Sequence, residues 1–296
     1  MTVAGEDAVW IDGERHAPEE ARVSVFDRGF LYGDSVFETL RTYDGRPFAL
    51  DEHLLRLERS ADSVLIPLPV PRDALAAEVR RAVELCAHPE SYVRVLVTRG
   101  RGASLGLDPA LADAPLRVVI VQALVPPPPH KYEQGIRSVT YRTQRIADGT
   151  PAAGAKLGNY LVAVLATHAA RQAGAEEALL VDGADRVLEG ATSNVFGIRG
   201  GLLLTPPEEL GILSGITRAH LLAVAPRVGL RPELRPLSVA DLFTLDELFV
   251  SSSIRELLPV IAVDGRAIGT GQPGPGQKRL LDAFRLEARR AAALGP

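Results

Sequence analysis

The chain has 296 residues, which at about 150 residues per domain is roughly two domains. Hydrophobic residues make up 46% and charged residues 24%, so the chain can bury a core and is not wholly disordered. Lys and Arg total 33 against 37 Asp and Glu, a net charge of −4, which argues against the basic excess of a typical nucleic-acid binder.

Residues 9–15, V-W-I-D-G-E-R, read as strand, Asp-Gly turn, strand. Val23-Ser24-Val25 alternates like a further short strand. Residues 35–43 form a longer strand candidate, turned by Asp44-Gly45. Residues 50–65 predict a helix, with Asp51 as N-cap and Leu54, Leu57, Ala61 and Leu65 at helical spacing. A second helix is predicted over 72–86, then strands over 92–98 and 116–124. Four prolines, Pro126 to Pro129, predict a stiff extended connector that joins neither a helix nor a central strand. The domain boundary is placed there. It gives a smaller N-terminal domain over 1–124, a linker over 125–135 and a larger C-terminal domain over 136–296.

The second half opens with a strand over 136–142. A loop with Gly149, Thr150 and Pro151 then leads to Lys156. A helix is predicted over 159–172, strands over 178–182 and 195–198, and a helix over 216–227. A strand over 247–251 and a terminal helix over 277–293 complete the series. Strands and helices mix in both halves without strict alternation, which predicts α/β or α+β domains.

The single cysteine, Cys86, excludes an intrachain disulfide and a cysteine-rich zinc site, and it suits a reducing cytoplasm. No apolar run approaches the roughly 18 residues of a spanning helix, and the mixed, acidic N-terminus does not read as a signal peptide. The expectation is a soluble cytoplasmic protein. Its histidines are scattered without an H-E-x-x-H pattern, so no catalytic metal is expected.

Lys156 sits in A-K-L-G-N-Y-L, just before a predicted helix. A partly buried amine is a nucleophile toward carbonyls, although a lysine at a helix start is more often solvated. Glu189 opens E-G-A-T-S-N-V-F, where it can face a ligand or solvent. Gly211 to Arg218, G-I-L-S-G-I-T-R, is a glycine-bearing turn into a helix. Free amides at such a start bind phosphate, and Thr217 adds a hydroxyl, but an ordinary helix start looks the same. Arg56, on the first helix, reads alone as a surface arginine.

The order of these segments is more informative than any one of them. D-R-G-F-L-Y-G-D-S-V-F-E-T-L-R is followed by E-H-L-L-R-L, the lysine segment, the glutamate segment, G-I-T-R and D-E-L-F-V-S-S-S-I-R-E-L-L-P-V. This series resembles the class IV aminotransferases, the fold-type IV pyridoxal phosphate enzymes, from about Val9 to Phe284. That family includes branched-chain aminotransferases, D-amino acid aminotransferases, (R)-amine transaminases and aminodeoxychorismate lyase. The resemblance implies two mixed α/β domains, pyridoxal 5′-phosphate as cofactor and a homodimer whose pocket draws on both subunits.

The resemblance assigns Lys156 to the lysine that holds the cofactor as a Schiff base and carries the proton. It assigns Glu189 to the acid that pairs with the pyridine nitrogen. It assigns Arg56, Ile216, Thr217 and Ser253 to the phosphate, Tyr160 to the neighbourhood of O3′ and Leu213 to the ring face. Asn194 falls in the matched glutamate segment with a supporting role. Tyr92 and Arg94, in Y-V-R-V, resemble the residues that seat substrate carboxylates in branched-chain aminotransferases. Arg41, Tyr32 and Phe37 match the same pocket, with Tyr32 reaching across a dimer interface. Ser252 and Ile254 flank Ser253 and are taken with the substrate.

Residues 99–109 resemble a loop in which D-amino acid aminotransferases carry an arginine and a histidine; Ser104 and Gly106 stand there instead. Thr39 replaces the glycine usual in the branched-chain group and matches a threonine of the lyases. Pro126 falls near a tyrosine of some branched-chain pockets. Arg255 replaces a small residue and either reaches a second carboxylate or pairs with Glu256 at the surface. The reading is a transaminase that moves the amino group of an L-branched-chain amino acid to 2-oxoglutarate. A D-amino acid or (R)-amine transaminase and an aminodeoxychorismate lyase are the alternatives. A non-catalytic module on the same fold is disfavoured, since Lys156 and Glu189 are both present.

Overall fold

The computed structural model describes residues 5–102, 104–143 and 152–293. The chain divides into two compact units. Unit 1 takes in the described residues of 1–125, 155–159 and 288–296; unit 2 takes in those of 126–154 and 160–287.

Unit 1 contains β1 (Ala8–Ile11), β2 (Glu14–His16), α1 (Arg28–Tyr32), β3 (Ser35–Tyr43), β4 (Arg46–Pro47), α2 (Leu50–Ser63), α3 (Arg72–Cys86), β5 (Ser91–Gly102) and β6 (Ala112–Ala123). Its strands form a six-stranded sheet in the order β2-β1-β6-β5-β3-β4. The β1–β2 hairpin turns on Asp12 and Gly13, both at positive φ (50° and 90°), as a two-residue primed turn requires. Leu54, Leu57 and Ala61 of α2 and Leu75, Ala76 and Val79 of α3 pack with Val36, Leu40, Val93, Val95 and Val97 of the sheet. The opposite face of β3 and β5 carries Phe37, Thr39, Arg41, Tyr92 and Arg94.

Unit 2 begins with α4 (Pro129–Gln134), β7 (Ile136–Arg142), α5 (Leu161–Gln172), β8 (Glu177–Val181), β9 (Arg186–Gly190), β10 (Asn194–Arg199) and β11 (Leu202–Thr205). It continues with α6 (Ile216–Val224), β12 (Arg231–Leu234), β13 (Leu237–Ser238), α7 (Val239–Leu242), β14 (Glu247–Ser252), β15 (Glu256–Val263) and β16 (Arg266–Ala267). The terminal helix α8 is Pro275–Ala293. Among the described residues the strands form a ten-stranded mixed sheet, β12-β11-β10-β14-β15-β7-β8-β9-β13, with β16 paired to β15. Val181, Val195, Leu204, Val250 and Val260 belong to its core, and Ala166, Ala170, Leu180 and Leu188 form a second cluster at α5. No described helix is long and apolar enough to cross a membrane.

Several local expectations are corrected. Val23 to Val25 is not a strand; Val23 and Val25 are 47% and 60% exposed. Three alternating residues carry the pattern of a strand but need a neighbour to supply its hydrogen bonds. Asp51 does not cap α2. The N-cap is Ala49, at φ 53°, and Asp51 lies in the first turn, where a negative charge suits the helix dipole. Pro129 joins a helix after all, at the first position of α4, where its missing N–H costs nothing. The loop over Gly149, Thr150 and Pro151 lies outside the described residues. The Lys156 segment, which follows the proline run in sequence, packs with unit 1.

Candidate active site

In unit 1 the register of β3 on β5 sets Thr39 opposite Arg94 and Arg41 opposite Tyr92. Side chains alternate along a strand, so Phe37, Thr39, Arg41, Tyr92 and Arg94 share the face away from α2 and α3. Phe37 is the hub of that face. The Arg94 guanidinium lies 3.9 Å from its ring centroid and Lys156 Nζ lies 4.6 Å from the same centroid. Arg41 is buried, with its guanidinium 4.4 Å from the Tyr43 ring. Tyr32 lies on α1 rather than on this face and is 41% exposed.

Main-chain bonds fix the Lys156 segment. The Phe37 N–H donates to the Lys156 carbonyl at 3.1 Å, and the Gly158 N–H donates to the Ser35 carbonyl at 2.8 Å. The Lys156 N–H donates to Ser60 Oγ at 3.1 Å, which ties the segment to α2. The position of the lysine therefore follows from β3 and α2, not from its own side chain.

Behind the same strand lies a triad that sequence reasoning missed. Glu38 faces the helices and is fully buried. Arg56 donates to its carboxylate through Nε and a terminal nitrogen, both at 2.7 Å, and His53 Nδ1 lies 2.7 Å away. Burial alone raises a carboxyl's pKa, but the Arg56 charge and the hydrogen bonds from Arg56 and His53 outweigh it and hold Glu38 down at about 2. Burial pushes the His53 imidazole below its ordinary value, against the opposing pull of Glu38. A neutral ring beside an acceptor-only carboxylate donates its Nδ1–H. The available signal was a charge at 38 in the alternation Val36, Glu38, Leu40, and a histidine on the apolar stripe of α2.

In unit 2, Glu189 stands near the end of β9 and is buried. Its Oε2 accepts the Leu213 N–H at 3.1 Å, while Asn194 Nδ2 donates to the Leu213 carbonyl at 2.9 Å. Both polar groups of Leu213 are thus held, and the turn before α6 is fixed. Gly215 is the N-cap of α6 and offers no side-chain cap to the first amides. A Cβ there would sit 1.9 Å from Asn194 Oδ1, so the glycine is needed for close approach. Ile216 and the buried Thr217 open the helix, and Tyr160 is the N-cap of α5. Ser252, Ser253 and Ile254 are half-buried where β14 turns into β15.

A class IV aminotransferase family model matches residues 35–263. The chain belongs to the class IV aminotransferases. A putative branched-chain-amino-acid aminotransferase of Methanocaldococcus jannaschii is 39% identical over 94% of this chain and 95% of its own. The crystal structure of the Escherichia coli branched-chain amino acid aminotransferase superposes with a TM-score of 0.90 at 32% identity, covering 97% of this chain and 96% of that one. A branched-chain aminotransferase from Thermoproteus uzoniensis, solved with norvaline, superposes at 0.88 with 28% identity, over 98% and 96% of the two chains. A further branched-chain amino acid aminotransferase structure, complexed with N-(5′-phosphopyridoxyl)-L-glutamate, superposes at 0.89 with 28% identity.

Within this aminotransferase the D-R-G segment has a structural task. Asp27 caps α1 through the Gly29 N–H at 2.8 Å and accepts the Thr98 hydroxyl at 2.8 Å. Arg28 pairs with Asp34 and donates to the Leu107 and Asp108 carbonyls, so it anchors the loop after β5. Arg255 does not pair with Glu256 as one reading expected. Arg285 takes the Glu256 carboxylate, and Arg255 donates to Glu177 at 2.6 Å. Glu177 was not foreseen. It is buried, and it also accepts the Ala191 N–H and the Ser193 hydroxyl.

Proposed function

We propose that this aminotransferase moves the amino group of a branched-chain L-amino acid to 2-oxoglutarate, with pyridoxal 5′-phosphate held on Lys156. The pair of cations at Phe37 carries the reading. An amine for the cofactor's carbonyl carbon and a guanidinium for a substrate carboxylate flank one ring, on a strand pair that also presents Tyr92, Thr39 and Arg41. The branched-chain aminotransferases similar to nearly the whole chain support the substrate class.

The residues fit the cofactor. Unit 1 offers a half-buried amine; unit 2 by itself offers a buried carboxylate braced by a backbone amide and a helix start whose first amides have no side-chain cap. Bound pyridoxal phosphate supplies an electron sink, because its protonated pyridine nitrogen draws the electron pair left at the substrate's Cα. Glu189 would hold the proton on that nitrogen. In unit 2 the Ile216 amide and the Thr217 and Ser253 hydroxyls would donate to the phosphate, where a helix N-terminus favours negative charge, and the family resemblance gives Arg56 the same role. Leu213 would pack on the ring face and Tyr160 would serve O3′. Lys156 Nζ, released when the substrate's amino group takes its place, would take the proton from Cα and pass it to the cofactor's former carbonyl carbon. Tyr92, Arg94 and Arg41 seat the carboxylates, and Phe37, Thr39, Ser252 and Ile254 shape the side-chain space.

The enzyme works as a homodimer in the cytoplasm, with Tyr32 reaching the second copy's substrate. Val25, Phe26, Phe30, Leu105 and Leu107 of unit 1 are 60%, 59%, 68%, 66% and 76% exposed, an apolar surface of the kind that a second copy covers. The test mixes holoenzyme and 2-oxoglutarate with L-leucine or D-alanine and follows glutamate. Glutamate from L-leucine is expected. Turnover of D-alanine alone would replace the reading with a D-selective one. Release of pyruvate from aminodeoxychorismate without an oxo acid would replace it with a lyase.

A further inference from the structure

The three-residue loop between β14 and β15, Ser253 to Arg255, is closed by the pair Ser252–Glu256. Glu256 takes a positive φ of 54°, a conformation that glycine usually supplies in such a loop. Its carboxylate is buried and held by Arg285. The loop is thus fixed at its far end. At its near end the restraint is Arg255.

Arg255 uses its whole guanidinium. One terminal nitrogen donates to Glu177 at 2.6 Å. The other donates to the Thr192 hydroxyl at 2.6 Å and the Thr192 carbonyl at 3.2 Å. Its Nε donates back to Ser252 Oγ at 3.3 Å. Its own carbonyl accepts the Tyr132 hydroxyl at 3.1 Å. The side chain is 20% exposed and its Glu177 partner 3%. The arginine therefore joins the serine turn to residues 190–193, which follow Glu189.

The two sides of this joint are not equal. The Glu177 side is held without Arg255. Glu177 accepts the Ala178 and Ala191 amides at 2.9 and 3.2 Å and the Ser193 hydroxyl at 3.0 Å. Gly190 lies so close that a Cβ would stand 2.1 Å from Ser193 Oγ and 3.1 Å from the Glu177 carboxyl carbon. That side is the anchor, and the serine turn is the part being held.

We propose that Arg255 is a positioning residue: its guanidinium docks the Ser252–Ile254 turn on the Glu177 anchor and so fixes the Ser253 hydroxyl for the cofactor phosphate. This rests on the reading that Ser253 donates to that phosphate. A planar fork that satisfies a carboxylate and a threonine together is a task that lysine cannot repeat.

The test measures binding of pyridoxal 5′-phosphate and of pyridoxal, which lacks the phosphate, to the apoprotein. The proteins compared are the unsubstituted chain, Arg255→Ala, Arg255→Lys and Ser253→Ala. Arg255→Ala is expected to weaken the phosphorylated ligand by about tenfold, as loss of one charge-assisted bond does, and to leave pyridoxal unchanged. Ser253→Ala is expected to match it, and Arg255→Lys to fall between. Equal weakening of both ligands by Arg255→Ala would mark a general loosening and overturn the positioning role. If Ser253→Ala alone loses the phosphorylated ligand, Arg255 does not position Ser253, yet the phosphate site stands. If the unsubstituted apoprotein binds both ligands alike, the phosphate reading of Ser253 fails and takes this role with it.

Discussion

Glu38 of β3 and Arg56 of α2, 18 residues apart in sequence, form a buried two-bond ion pair at 2.7 Å. The pair fixes the arginine that the proposed function gives to the cofactor phosphate. Removing one partner of such a pair leaves a buried charge alone. Glu38→Gln is expected to cost about 3–5 kcal/mol, read from urea unfolding at neutral pH.

The same residue sets an acid limit. The Glu38 carboxyl is held from 4.5 down to about 2 in the folded chain, so the unfolded chain takes up its proton first. Its contribution is full above pH 4.5 and is lost as pH falls toward 2. Burial holds the His53 imidazole low as well, so the native state also loses stability as pH drops below the ordinary histidine value of 6.5. Unfolding free energy measured from pH 7 to pH 3 should fall more steeply in the unsubstituted protein than in Glu38→Gln. Parallel slopes would contradict this account.

Lys156→Ala separates position from chemistry. The bonds that hold residue 156 are main-chain bonds to Phe37 and Ser60, and alanine keeps them. Thermal unfolding is therefore expected to change little. Transamination should fall by about 10²–10⁴-fold or more, the usual contribution of a positioned proton-transfer group.

How legible each part was follows from the kind of signal it leaves. Residues 35–43, 72–86 and 136–142 were read from local pattern with the bounds they have. Val23 to Val25 misled because periodicity records a face and not a partner. Membership of the family was legible in its ordered motifs. Their supports were not. Glu177 bonds Ser193 and Arg255 across separations of 16 and 78 residues, and such pairings follow from the fold rather than from local pattern. Arg255 shows the limit: Glu256 was the nearest carboxylate in sequence, but the strand turn sends the two side chains to different partners.

Gly215→Ala tests the turn before α6. The added Cβ would stand 1.9 Å from Asn194 Oδ1, and Asn194 is buried with its amide nitrogen already committed to the Leu213 carbonyl. The asparagine has to move, and Leu213 moves with it. A cost of about 1–3 kcal/mol is expected, as in other overpacked cores. Cofactor affinity should fall with it, since Leu213 also donates to Glu189. A melting temperature and a cofactor titration read the two effects separately.

Arg94 decides between holding a carboxylate and merely covering Phe37. Its guanidinium stacks 3.9 Å from the Phe37 centroid, directly across the strand pair from Thr39. Methionine at 94 keeps much of the length and the contact with the ring but removes the charge. If the arginine seats the substrate carboxylate, Arg94→Met loses a charged hydrogen bond of about 1.5–3 kcal/mol, a fall of roughly 10–100-fold in kcat/KM for both L-leucine and 2-oxoglutarate. Arg94→Lys retains the charge and should recover part of it. If the arginine only packs, methionine should serve as well as lysine, and kcat/KM should stay within a fewfold of the unsubstituted enzyme. Steady-state kinetics with each substrate varied in turn separates the two outcomes, because a carboxylate seat is shared by the amino acid and the oxo acid.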